Sequence, residues 1–215
     1  MTDGPEDAYT RTKHSLHGLA ELVLAGPRYR QGGSIRLRVQ PEGFRTRDEP
    51  VVAVSGSALV TADLRVDVDG LTFAQAAARI GLEASRLDDV YGDGPKVGPD
   101  EAIHLDPSSV RQVEHALALG DQALRRFNEG ADPILWPEHF DVAIEVGEVT
   151  YGVSPGDRFV DGPYAYVSRP GPFTGEFWNA PFGAARRLSE LDGVDGIVAF
   201  LRQGAELMGT TPPSA

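Results

Sequence analysis

The chain contains no cysteine. Thiol catalysis, disulfide staples and any zinc site built on thiolates are therefore excluded. No apolar run reaches the roughly 18 residues that a membrane-spanning helix needs, so no membrane association is expected. Basic residues are in deficit: 20 Lys and Arg stand against 32 Asp and Glu, a formal charge of −12. Such a surface repels a phosphate backbone, and nucleic acid is not an expected partner. The one basic stretch, Arg28 to Arg47, alternates with apolar residues and reads as the outer face of a sheet. Phosphate-cradling loops are missing too, since Gly92-Asp-Gly-Pro95 lacks the lysine–hydroxyl pair of a P-loop. No Gly-x-Ser-x-Gly elbow occurs, which removes the hydrolases built on one. The first residues carry Asp3, Glu6 and Asp7 and no apolar core. They do not read as a secretory leader, and a soluble cytoplasmic protein is expected.

What is present is enough for a folded core. A chain of 215 residues can bury one without staples. Leu16, Leu19, Ala20, Val23 and Leu24 recur at helical spacing and predict a helix over 6–25, stopped by Gly26-Pro27. Ser34–Gln40 alternates strictly and predicts a half-buried strand, followed by short strands at 51–54, 58–61 and 64–68. Thr72-Phe-Ala-Gln75 forms a capping box that opens a helix ending at Gly81. Residues 84–105 read as a long surface connection. Pro107 then starts a long helix with a stripe of Val110, Val113, Leu117, Leu124 and Phe127, closed by Gly130. A last helix carries Val194, Ile197, Val198, Leu201 and Met208. Strands and helices are partly segregated and hairpin turns recur. The expected class is α+β, a largely antiparallel sheet or sheets packed with about four helices. The expected organisation is a flexible head (1–8), a first lobe (9–130), a second lobe (131–209) packed on it, and a flexible tail (210–215).

Aromatic area is concentrated in Ile134–Ala185, which holds both tryptophans, three of the six tyrosines and five of the nine phenylalanines. Within it, Gly147-Glu148 fits a two-residue type II′ turn. That turn opposes Val146 to Val149, Ile144 to Tyr151 and Val142 to Val153, with Phe140 continuing the apolar side. The other side then carries His139, Asp141, Ala143 and Glu145 against Thr150, Gly152 and Ser154. Small residues there leave room for a ligand or for another part of the chain. A further strand is expected at 163–167, and residues 169–188 read as an irregular aromatic segment.

Two constellations suggest chemistry. His139 and Asp141, two apart on one strand face, form a candidate catalytic pair in which the carboxylate orients the imidazole as a general base. On the first helix, His14, His17 and Glu21 fall within about 60° of one another, a face that could supply three metal ligands. The alternatives are a solvated sheet face for the first and an ordinary polar helix face for the second. Phe173, Phe177, Trp178 and Phe182 lie on irregular chain, where each buried ring contributes roughly 1.5–3 kcal/mol. That segment is expected to fold back as core, lid or interface, with Asn179 orienting a ligand or satisfying loop backbone.

Leu16–Pro27, Leu-Trp-Pro-Glu-His-Phe-Asp (135–141), Tyr-Gly-Val-Ser-Pro-Gly-Asp (151–157), Pro-Tyr-Ala-Tyr-Val (163–167) and Phe-Trp-Asn-Ala-Pro-Phe-Gly-Ala (177–184) resemble segments of an uncharacterised actinobacterial protein family. The likeness covers most of the chain. It implies no activity, because none is assigned to that family. In element order the first half is also similar to sterol-carrier-type folds, a likeness of fold alone. Three functional readings follow. The first is a small-molecule site between the 140–168 sheet and the 169–188 loop, lined by His139, Asp141, Tyr166, Trp178 and Asn179. The second is an enzyme, such as a metal-assisted hydrolase using His139 and Asp141 or His14, His17 and Glu21. The third is an interaction module whose aromatic loop packs on a second copy or another protein. No cofactor is identifiable.

Overall fold

The computed structural model describes residues 7–209, and the expected flexible tail and most of the expected head lie outside them. Asp7 caps the first helix by accepting from Thr10 N–H, so the last two residues assigned to the head, Asp7 and Ala8, belong to the helix start. The fold is α+β. Its ten strands pair antiparallel, and the helices form four rods. No helix among the described residues is long and apolar enough to cross a membrane.

The chain divides into two compact units. One runs up to Glu114 and takes back residues 135–140; the other comprises residues 115–134 and the chain from Asp141 on. The expected boundary near 130–133 is therefore displaced. Residues 135–140 belong to the first unit because β6 (Ile134–Trp136) pairs antiparallel with β1 (Leu37–Gln40), Leu37 opposite Leu135. No alternating pattern marks three residues as a strand, so this return was not legible.

The first unit opens with one continuous helical rod. It consists of α1 (Ala8–Gly18), a π-helical segment (Leu19–Ala25) and α2 (Gly26–Arg30). The expected stop at Gly26-Pro27 does not occur. Proline has no N–H to donate and crowds the preceding turn; the wide π turn before it relieves both demands, with Gly26 N–H donating five residues back to Glu21 O. The widened backbone also frees the Leu22 carbonyl, which accepts Ser85 N–H at 2.9 Å. Gly26 lets that neighbour approach, since a β-carbon there would fall 1.8 Å from the Ser85 carbonyl oxygen. All seven residues of the π segment are buried, so the rod has no polar flank at this level.

The rest of this unit is a meander in which β6, β1, β2 (Gly43–Thr46), β3 (Ala53–Ser55), β4 (Ala58–Val60) and β5 (Arg65–Asp67) lie side by side. β2 was not expected; its Gly43 is tucked against the Val54 carbonyl, at a position no larger residue could fill. The capping box at Thr72 and Gln75 forms and starts α3 (Phe73–Arg79). Phe73 packs on Gly18 of α1.

In the second unit, β7 (Asp141–Val146), β8 (Val149–Ser154), β9 (Tyr164–Ser168) and β10 (Gly183–Arg187) follow in spatial order. The hairpin has the expected register, Val142 to Val153, Ile144 to Tyr151 and Val146 to Val149. Gly147 has φ 63° while Glu148 is not left-handed, as a type II′ turn requires. The apolar face is covered by α4 (Pro107–Phe127), from His115 on, and by α5 (Gly193–Met208). Gly120 rests on Val142 and Val153, Gly204 rests on Val167, and Phe127 meets Tyr151 at 4.7 Å. The α4 stripe and the inner residues Ile197, Val198 and Leu201 of α5 are buried as expected. β10 lies in the stretch read as irregular: Gly-Ala-Ala-Arg-Arg carries no strand signature and is ordered by pairing with β9.

Candidate functional site

Strand alternation places Asp141 and Ala143 on the face of β7–β10 away from the helices, with Gly152, Ser154, Tyr164, Tyr166 and Ala185 beside them. The room left by Gly152 is filled by the chain itself, because the Tyr166 ring lies across it. The Tyr166 hydroxyl donates to Asp141 Oδ2, a carboxylate only 5% exposed. A second pair runs parallel: the Tyr164 hydroxyl donates to Asp157 Oδ2 at 2.7 Å, while Asp157 Oδ1 accepts the N–H groups of Phe159 and Val160. Burial pushes both phenols well above their ordinary pKa, and the adjoining carboxylates push the same way. The two tyrosines are therefore neutral donors over the physiological range.

Phe182 closes this face. It sits on a two-residue turn, with Ala180 and Gly183 exchanging backbone hydrogen bonds of 3.0 Å. Its ring contacts those of Phe159, Tyr164 and Tyr166 at centroid distances of 5.6, 6.4 and 6.3 Å. Phe159 is 52% exposed, and the Arg158 guanidinium lies 5.1 Å from its ring centre.

The proposed lining residues separate into different roles. Tyr166 belongs to the carboxylate pair. Trp178 stacks on Phe173 at 4.9 Å and meets Phe177 edge-on at 4.8 Å, and Phe177 packs on Phe200 of α5 at 5.2 Å. Asn179 is exposed and binds both the N–H and the carbonyl of Ala185, so it fixes β10 to the loop.

His139 and Asp141 are not brought together. Phe140 N–H closes a turn onto the Trp136 carbonyl at 2.8 Å, and Phe140 itself takes φ 53°. A left-handed residue breaks the alternation, so the strand begins only at Asp141. The His139 side chain is 58% exposed, with Glu138 its acidic neighbour at 3.9 Å. Phe140 is buried in the first unit, stacked on His17 at 5.3 Å and edge-on to Phe44 at 5.5 Å.

His14, His17 and Glu21 are also separated. His14 is exposed on α1. The His17 Nε2–H donates to the Pro137 carbonyl at 2.7 Å. Burial pushes its pKa down to about 4 against the opposing effect of that bond, so the ring is neutral. Glu21 lies in the π segment and is only 3% exposed, with its pKa raised by burial. The Tyr91 hydroxyl faces the carboxyl and opposes that rise, yet neither Glu21 Oε2 nor that hydroxyl has an aligned hydrogen-bond partner. Gly94 presses on Oε2, since a β-carbon there would stand 2.3 Å away. Among the described residues no three acidic or imidazole groups are placed to hold a metal ion.

Sequence reasoning missed a groove of about 330 Å³ in the first unit, lined by Ala8, Arg11, Thr12, Asp69, His104, Leu105 and Asp106. Thr12 and Ser15 were its available signal: two hydroxyls on the inner side of α1 require partners. They accept Asp106 N–H and His104 N–H, each at 2.9 Å.

No protein-family model, curated protein or solved structure matches the chain.

Proposed function

We propose that this protein binds a small organic cation, an alkyl- or arylammonium, on the aromatic face of β7–β10. The observation that carries the reading is the cluster of aromatic rings from Phe159, Tyr164, Tyr166 and Phe182 on this face, with Phe159 52% exposed. An ammonium seated on the exposed Phe159 ring and its aromatic neighbours gains roughly 0.5–2 kcal/mol per ring face through cation–π attraction. Arg158 over Phe159 supports this, because a cation already occupies one of these ring faces. The excess of acidic residues draws cations toward the protein.

Calorimetric titration with phenethylammonium and tetramethylammonium, against the neutral isosteres 2-phenylethanol and neopentyl alcohol, tests the reading. Saturable binding of the cations alone, weakened in Phe159→Leu, is the expected result. Equal binding of the neutral isosteres, or no binding of any of the four, overturns it.

A further inference from the structure

We propose that the groove beside α1 is a second binding site, independent of the aromatic face, and that it takes a small zwitterion of the α-amino-acid type. Arg11, Asp69 and Asp106 line the same groove. Arg11 nevertheless forms no ion pair with any described residue. Opposite charges on flexible side chains collapse onto one another unless their supports are fixed apart, and here the supports are fixed. Asp69 Oδ1 accepts Leu105 N–H at 2.8 Å. Asp106 N–H is held by Thr12 Oγ1 and His104 N–H by Ser15 Oγ. Asp106 Oδ1 takes Ser109 N–H and both serine hydroxyls that follow it. These donors hold its pKa down to about 2, so Asp106 stays ionised.

Arg11, Asp69 and Asp106 thus form no ion pair with one another, and both signs of charge are open to a ligand in the groove. A single molecule satisfies both when it carries an anion for Arg11 and a cation for Asp69 and Asp106. Guanidinium recognises a carboxylate through paired parallel hydrogen bonds, and an ammonium offers three donors to the opposite side. The volume, near the lower end for ligand pockets, suits a free amino acid or a dipeptide. Leu105 supplies the apolar part of the floor, against which a short side chain rests.

The test is an NMR titration of ¹⁵N-labelled full chain with L-alanine, L-aspartate and L-lysine, beside N-acetyl-L-alanine and L-alaninamide. The amides of Arg11, His104 and Asp106 are expected to shift saturably with at least one free amino acid. Both blocked derivatives should bind about tenfold or more weakly, as should Arg11→Gln and Asp69→Asn, which keeps the oxygen that holds Leu105. Leu207→Ala, at a side chain 56% exposed in the other unit, serves as a folded control and should leave this titration unaltered. No saturable shift with any free amino acid, or blocked derivatives that bind as well as free ones, overturns the proposal. So does undiminished binding by Arg11→Gln.

Discussion

Tyr166 lies across Gly152: a β-carbon at position 152 would stand 2.5 Å from the ring's hydroxyl oxygen and 2.6 Å from its edge. The glycine is a contact surface for the ring, an arrangement in which an aromatic neighbour covers backbone that a side chain would otherwise cover. Gly152→Ala forces the ring off Asp141 and should destabilise the fold by roughly 1–3 kcal/mol in urea unfolding. Combined with Tyr166→Ala, the alanine should cost far less than alone. Additive effects would show that the ring and the glycine do not touch.

Removing only the hydroxyl isolates the carboxylate bond. Tyr166→Phe keeps the ring over Gly152 and removes the Tyr166 hydroxyl bond to Asp141 Oδ2. A loss of roughly 1–3 kcal/mol is expected, because one buried hydrogen bond is removed. Unchanged stability would mean that the ring, and not the bond, holds this face.

Alkaline pH should unfold the protein through three phenols. Tyr91, Tyr164 and Tyr166 all have raised pKa values, chiefly from burial. A phenol that keeps its proton in the folded state contributes fully below its unfolded pKa of about 10. Above that, each subtracts up to about 1.4 kcal/mol per pH unit. Tyr164→Phe and Tyr166→Phe should each make the alkaline loss shallower. An unchanged slope in both would count against neutral buried phenols.

His17 should govern part of the acid limb. Its folded pKa of about 4 lies below the unfolded value near 6.5. The neutral ring therefore stabilises the fold fully above about pH 6.5, and that contribution is lost as pH falls toward 4. The His17 ring resonances in NMR should stay constant through pH 6 and move only near pH 4. Titration near 6.5 would refute the buried, neutral assignment.

Glu21 has a raised pKa from burial, so its ionisation opposes folding as pH rises through the folded value. Glu21→Gln removes that charge and should unfold at a higher temperature than wild type at pH 8, with the difference narrowing at pH 4. Gly94→Ala, which pushes a methyl group onto Oε2, should unfold at a lower one. A destabilised Glu21→Gln would show that the carboxylate has a strong partner.

The long amphipathic helices, the hairpin register and the α+β class were legible because each rests on periodicity over many residues or on a glycine-directed turn. The α4 stripe and the Ile144–Tyr151 pair are examples. What escaped depends on neighbours distant in sequence. β6 is a strand through Leu37, and β10 through Tyr164 and Tyr166. One left-handed residue, Phe140, separated His139 from Asp141, and no composition signal marks such a residue unless it is glycine. Glu21 shows a different limit. Counting at 100° per residue put it on a polar face, whereas the π winding carries it inside.

That winding has a consequence for length changes. A π turn holds more residues than an ordinary one, so Leu19–Ala25 carries slack that the rod can give up. Shortening it by one residue lets the rod tighten into regular α-helix while Arg28 and Arg30 keep nearly their present bearing relative to Ser15 and His17, because the residue lost is the one that widened the turn. Lengthening it by one has no comparable outlet. The stretch should tolerate loss better than gain, the reverse of what is usual for a surface loop.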